Sequence, residues 1–220
     1  MKTRSTSKQR CQGDGETSIR GRILDAAFSA FMEGGYADTS TREIARRARV
    51  SKRELYALVG NKKEMLAACI SERANRLRVP ADLSVPRNRE SLAHVLASLG
   101  TQLLREISDP AVIGVFRVAI AEAVRAPEIA RVLDSIGRET SRAIVRKIMA
   151  QARSVGLLAG HPAEMAEQFA GLLWGNLMVS LMLGVADRPT PRDIARRARC
   201  ATTAFLKLYP EPNDPPQGVV

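Results

Sequence analysis

Three short polar clusters succeed one another at near-even spacing: Ser40-Thr41-Arg42-Glu43, Ser51-Lys52-Arg53-Glu54 and Asn61-Lys62-Lys63-Glu64. Each has the pattern of a capping box, in which a small polar side chain accepts from the third helical N–H and a glutamate reaches back to the cap's own N–H. Lysine or arginine fills the positions just inside all three starts, where a cation opposes the helix macrodipole. Hydroxyls, cations and helix N-terminal N–H groups together suit phosphate, so the chemistry on offer is the binding of an anion. Catalysis has far less to work with. His94 and His161 stand far apart without a serine or cysteine motif, and Glu122, near Arg117 and Arg125, reads as half of a helix-surface ion pair rather than a general base. No glycine-rich phosphate loop is present, and Cys11, Cys69 and Cys200 form neither a CxxC nor a Cys/His cluster. We therefore expect no enzyme activity, no metal and no cofactor. Cys69 and Cys200 are expected to be buried as small hydrophobes.

These clusters are positioned by short helices. The starts lie 11 and then 10 residues apart, room for two helices of about two turns with a tight connection each. That is helix-turn-helix spacing. Ahead of them, a helix from Ser18 to Glu33 carries Ile23, Ala27 and Phe31 on one stripe with Leu24, Phe28 and Met32 beside it, and stops at Gly34-Gly35. Ile44, Ala45 and Ala48 face that stripe from the second helix, and Leu55, Leu58 and Val59 from the third, leaving Arg42, Arg46 and Arg47 toward solvent or an anionic partner. A fourth helix starts at Asn61 and runs to about Val79-Pro80.

From Arg22 to Leu66 the chain reads RILDAAFSAFMEGGYADTSTREIARRARVSKRELYALVGNKKEML. This closely resembles the DNA-binding domain of the TetR family of bacterial transcriptional regulators, with its ILxAA helix, its G-[YF] followed by threonine, its IAxxAGVS turn, a tyrosine, and a lysine before an acidic residue and leucine. Arg49 departs from the family's turn glycine and Val59 from its phenylalanine; a left-handed residue 49 would cost arginine about 1–2 kcal/mol. The resemblance implies a double-stranded DNA operator as partner, with the third helix in its major groove. Tyr56 and Lys62 match the family's phosphate-contacting tyrosine and lysine. Ser40, Thr41 and Ser51 bring hydroxyls to phosphate, with Arg42 on the same face. Lys52, Arg53 and Ala57 on the exposed start of the third helix are expected at base edges, Arg53 being suited to the O6/N7 pair of guanine.

Charge distribution agrees. Residues 1–80 hold 17 Lys+Arg against 9 Asp+Glu, while residues 81–220 hold 17 against 14. The anion-facing part is the N-terminal third. No apolar run approaches the ~20 residues needed to span a bilayer, and the basic N-terminus has no apolar segment behind it, so a cytoplasmic protein with no membrane partner is expected.

Beyond Pro80, helix starts recur at Asn88, Asp109-Pro110, Ala126-Pro127, His161-Pro162 and Thr190-Pro191, while alternating strand patterns are lacking. The expected fold is all-α, of about nine helices: residues 1–17 a disordered basic arm, 18–79 the helix-turn-helix head, 80–209 a helical effector-binding and dimerisation bundle, and 210–220 a disordered tail. Phe116 to Ala123 followed by Ala126-Pro127-Glu128 resembles the effector domain of the AefR-like branch. The stretch from Pro162 to about Leu183 is apolar on nearly every side and is expected to be one helix. In the family this helix and the last one make the homodimer interface, here assigned to Phe169, Trp174, Leu177 and Leu181. A pocket for a small hydrophobic effector is assigned to His94, Leu99, Leu103, Phe116, Ile120, Trp174 and Met178, where adaptable apolar walls suit a lipophilic ligand. The segment Arg42–Arg49 recurs nearly verbatim as Arg192–Arg199, but no turn and second helix follow the later copy, so it reads as a shared amphipathic pattern.

The functional expectation is a sequence-specific transcriptional regulator, a repressor released from its operator by a small lipophilic effector. The alternative is a helical DNA-binding protein controlled by a partner, or one with no effector.

Overall fold

The computed structural model describes residues 6–74 and 86–211. The described residues form helices and no strand: α1 (Thr6–Gly34), α2 (Thr41–Ala48), α3 (Lys52–Leu58), α4 (Lys62–Ala74), α5 (Arg89–Ile107), α6 (Pro110–Ala121), α7 (Pro127–Val132), a π-helical turn (Leu133–Arg138), α8 (Glu139–Ser154), α9 (Pro162–Trp174), α10 (Leu177–Leu183) and α11 (Pro191–Leu208). The all-α class stands. Residues 1–5 of the expected arm, the expected domain border at 79/80 and residues 212–220 of the expected tail lie outside the described residues.

Helix α1 begins at Thr6 rather than Ser18. A helix already nucleated by packing propagates backward one residue at a time at small cost, so polar residues without periodicity can continue it. Every proline- or asparagine-led start beyond Pro86 begins a helix at its expected place. At α5 the Asn88 side chain accepts from Ser91 N, and the Ser91 side chain answers at Asn88 N, a complete reciprocal cap. The second Arg-rich copy lies inside the uninterrupted α11, with no helix-turn-helix of its own.

Two compact units emerge: Met1–Arg73 with Gly114–Gly137, and Ala74–Ile113 with Arg138–Val220. The expected linear division therefore needs correction, because residues 114–137 belong with the head. In the first unit Ile23, Leu24, Ala27 and Phe31 of α1 meet Ile44, Ala45 and Ala48 of α2, Leu55 of α3 and Met65, Leu66, Cys69 and Ile70 of α4, as read from the stripes. The same core also buries Val115, Ala119, Ala126, Ile129 and Leu133. Short helices cannot cover all of their own apolar surface, and this later segment removes the remainder from water. Gly114 permits the approach, since a Cβ there would stand 2.6 Å from Met32 Sδ.

The core of the second unit is built from Leu92, Leu96, Leu99 and Leu103 of α5, Val145, Ile148 and Met149 of α8, Met165, Phe169 and Leu173 of α9, and Ile194, Ala198 and Phe205 of α11. Gly100 lets α5 approach closely: an added Cβ would meet Leu173 at 3.0 Å and Ala198 at 3.4 Å. Arg89 ties the ends together, donating to the carbonyls of Leu157 (2.8 Å), Leu206 and Tyr209.

The helix expected to run from Pro162 to Leu183 is two helices, α9 and α10. Gly175 stands between them at φ 44°, ψ −134°, a conformation suited only to glycine. The Arg197 guanidinium reaches across from α11 and donates to Leu173 O at 2.7 Å and Trp174 O at 2.6 Å. It takes up carbonyls that a continuing helix would have occupied. The cap therefore replaces the lost helical bonds, and the apolar composition on either side gives no local sign of the break.

Candidate nucleic-acid interface

Entry to the head is set by Thr39, buried, whose hydroxyl lies 3.0 Å from Ala30 O and 2.6 Å from Gly35 O. Ser40 then caps α2 by accepting from Glu43 N at 3.1 Å. This first capping box is only half formed, a correction to the pattern. The Glu43 carboxylate is drawn instead to Arg46 (2.7 and 2.9 Å) and Arg47 (2.8 Å), and these charged donors outcompete the Ser40 N–H. The Arg46 and Arg47 hydrogen bonds push the Glu43 carboxyl down to about 2. Arg47 also pairs with Glu33 of α1 at 2.8 Å. Arg46 and Arg47 are thus engaged in bracing α2, whereas Arg42 lies exposed.

The other two boxes are complete. Ser51 Oγ accepts from Glu54 N at 3.1 Å and Glu54 accepts from Ser51 N at 2.8 Å. Glu54 therefore has the structural role, and these hydrogen bonds hold its carboxyl below the usual value. Asn61 accepts from Lys63 N and Glu64 N while Glu64 accepts from Asn61 N. Gly60, at φ 93°, allows that return, since a Cβ there would collide with the Glu64 carboxylate at 2.0 Å.

Between α2 and α3, Arg49 adopts φ 55°, ψ 48°, the left-handed conformation that the resemblance leads one to expect of a glycine; its N–H closes on Ala45 O and Arg46 O. It is the one non-glycine at positive φ among the described residues. The turn geometry is therefore retained with a less suited residue. Arg49→Gly is expected to raise stability by about 1 kcal/mol, the relief of the left-handed penalty less the greater unfolded-state entropy of glycine. Urea unfolding of the two proteins checks this, and an unchanged or lowered midpoint would refute it.

Only Leu55 of α3 is buried; Lys52, Arg53, Tyr56 and Ala57 are exposed together with Ser51. Tyr56 Oη lies 3.2 Å from Thr41 Oγ1, joining α3 to the start of α2, and Ser40 is exposed beside it. The caps use the Ser40 and Ser51 oxygens as acceptors, leaving both hydroxyl protons to donate to an anion. Lys62 is turned toward the head: its Nζ donates to Ala37 O at 2.9 Å and lies 4.5 Å from the centre of the Tyr36 ring. One of three ammonium protons is thereby committed. Burial lowers the Lys62 pKa, against the opposing pull of Glu122 and Asp38, and burial with Glu128 and Glu122 raises that of Tyr36.

Sequence reasoning missed Glu122. It is buried rather than paired on a helix surface, and its Oε1 accepts from Ala37 N at 3.0 Å, 85 positions away in sequence. A bond over that separation leaves no local pattern.

The expected effector residues are divided between the two units. Leu99 and Leu103 lie in the core of the second unit, with Trp174 half-buried against it and Met178 half-buried on α10. Phe116 packs on the core of the first unit, Ile120 is 60 % exposed and His94 is exposed. The set was chosen for adaptable apolar side chains, and apolar character does not say which core a side chain enters. Of the expected dimer residues, Phe169 is fully buried in its own chain, against Phe205 at 5.5 Å between ring centres, and Leu181 is buried too. Trp174 and Leu177 are half-buried, and the apolar side chains left outward near them are Val179, Leu183 and Val185. Cys69 is buried as expected, whereas Cys200 is exposed on α11. Among the described residues no helix is long and apolar enough to cross a membrane.

Comparison with known proteins agrees with this head and this bundle. Residues 23–69 match the family described as bacterial regulatory proteins, tetR family, and residues 94–211 match the AefR-like transcriptional repressor C-terminal domain. An uncharacterized HTH-type transcriptional regulator of Bacillus subtilis, YvkB, is 24% identical over 187 residues, 84% of this chain and 94% of that protein. The crystal structure of a TetR transcriptional regulator from Agrobacterium tumefaciens superposes with a TM-score of 0.73 at 30% identity, covering 88% of this chain and 95% of that one. The flavonoid-responsive regulator FrrA superposes with a TM-score of 0.74 at 28% identity, over 90% of this chain and all of that one. These relatives are regulators, not enzymes. With both halves matched and a head whose caps, turn and exposed third helix follow the same plan, the chain belongs to the TetR family of DNA-binding transcriptional regulators.

Proposed function

We propose that the protein is a homodimeric repressor that reads a pseudo-palindromic operator and leaves it when a small lipophilic molecule binds the second unit. The observation that carries the reading is the face of α3, where Lys52, Arg53, Tyr56 and Ala57 are exposed together and only Leu55 is buried. The helix turns Leu55 and part of Leu58 to the core, spends Glu54 on its cap, and offers the other four residues outward. In the major groove Lys52, Arg53 and Ala57 meet base edges, while Tyr56, Thr41, Arg42, Ser40, Ser51 and the remaining donors of Lys62 take phosphates. Two heads on one dimer read two half-sites. The match to a repressor C-terminal domain supports the sign of regulation. FrrA, by name responsive to flavonoids, supports a small organic effector. The Leu-, Met- and Phe-rich interior of the second unit agrees with an apolar one.

The test is enrichment of duplexes from a random-core DNA pool by the full-length protein, followed by competition with the enriched duplex. Sequence-related inverted half-sites are expected, and Arg53→Ala should fold normally yet lose about 1–3 kcal/mol at a single base position. Enrichment of no sequence would refute sequence-specific recognition, and equal weakening on every duplex would reduce Arg53 to a phosphate contact.

A further inference from the structure

Glu122 is 8 % exposed, and while its Oε1 accepts from Ala37 N, its Oε2 is buried with no hydrogen-bond partner. Burying a half-satisfied carboxylate is costly, and an apolar side chain of similar size would fill the same volume at less expense. The carboxylate holds one side of a residue that is gripped from two sides. Ala37 N–H is taken by Glu122, and Ala37 C=O is taken by Lys62, the first residue of α4. Two residues on, Thr39 is pinned to Ala30 O and Gly35 O, and Ser40 then opens α2. The turn Gly35–Thr39 is therefore where α1 hands over to the helix-turn-helix, and Glu122 tethers it at Ala37.

The origin of that tether matters. The match to the family's DNA-binding domain ends at residue 69, whereas Glu122 falls within the 94–211 match to the repressor C-terminal domain. A residue of the effector-domain sequence completes the DNA-binding unit. We propose that Glu122 is a positioning residue for operator recognition, its carboxylate holding the Gly35–Thr39 turn so that α2 and α3 are presented in the register the major groove requires. It acts through Ala37 and touches no DNA. The proposal rests on the reading that α3 recognises an operator. It also supplies that reading with a coupling point, since displacement of the segment Gly114–Gly137 would release the turn.

The experiment compares full-length wild type, Glu122→Leu and Glu122→Gln on two probes: the duplex enriched by the wild type and a scrambled duplex of equal length. Leucine leaves Ala37 N–H without an acceptor; glutamine keeps the acceptor and loses the charge. Glu122→Leu should bind the enriched duplex about tenfold more weakly while its affinity for the scrambled duplex changes by less than about twofold, and Glu122→Gln should recover most of the loss. A staple acting on stability alone would not alter the ratio between the two probes. Wild-type affinity in Glu122→Leu, equal weakening on both probes, or no recovery with glutamine would each overturn the proposal. Hydrogen exchange on the wild type is the second measurement and does not depend on a variant folding: the Ala37 amide should exchange at least about tenfold more slowly than an unbonded amide. Free exchange at Ala37 would overturn the tether. If the wild type enriches no duplex, the regulatory reading fails, while the Ala37 exchange rate still decides whether the tether exists.

Discussion

Val179→Glu combined with Leu183→Glu is expected to leave each protomer folded, to convert the proposed dimer to monomer at micromolar concentration, and to weaken binding to the enriched operator duplex by about a hundredfold or more. Both residues lie on α10, one helical turn apart, and are 52 % and 71 % exposed, so neither change disturbs the core of its own chain. An apolar surface of this kind needs cover, and the cover proposed above is a second copy of the chain. Two carboxylates brought opposite their symmetry mates would be like charges in a desolvated contact, which costs several kcal/mol. The loss of operator affinity follows from geometry alone, because a monomer presents one head and forgoes the effective concentration that links two. Sedimentation and titration with the enriched duplex measure the two effects. A variant that remains dimeric, or a wild type that is monomeric at the same concentration, would place the interface elsewhere. Leu181→Glu makes an instructive contrast: with its side chain buried in its own chain, the expected result there is an unfolded second unit rather than a soluble monomer.

The second large effect is expected at the break between α9 and α10. Gly175→Ala should destabilise the second unit by about 2–4 kcal/mol, because φ 44° with ψ −134° is a region that side-chain-bearing residues avoid. The new Cβ would also stand 2.7 Å from Arg197 Nη2, so the guanidinium must withdraw from Leu173 O and Trp174 O and leave both carbonyls short of a donor. Arg197→Lys isolates the second contribution, since a single ammonium lacks the planar fork that spans two successive carbonyls and Gly175 remains unstrained. It should cost about 1–2 kcal/mol. Thermal unfolding followed at Trp174, the chain's one tryptophan, reports on this unit. Equal midpoints for wild type and Gly175→Ala would show that the break is not maintained by the glycine and its cap.

Local sequence was sufficient for the helix-turn-helix. Helix starts depend on side chains three positions apart, and helix faces on a repeat of three to four, so Ser51, Asn61 and Asn88 announced their caps and Ile23, Ala27 and Phe31 their stripe. The exposed face of α3 was legible for the same reason, and the glycine that the family pattern leads one to expect at Arg49 pointed to the left-handed turn found there. Tertiary structure alone decided the features whose partners are remote. Glu43 abandoned its own cap because two arginines compete for it, and Glu122, which looked like a surface ion pair, became a buried tether to Ala37. Gly175 ended a helix that composition would have continued, because Arg197 arrives from another helix to take its carbonyls. Phe116 and Leu103 were expected in one effector pocket and Phe169 at a dimer seam, yet an apolar side chain carries no record of which core it will enter: Phe116 packs on the core of the first unit, and Leu103 and Phe169 lie in that of the second. Short-range hydrogen bonding is written into neighbouring residues, whereas the choice among apolar partners is settled only when the helices pack.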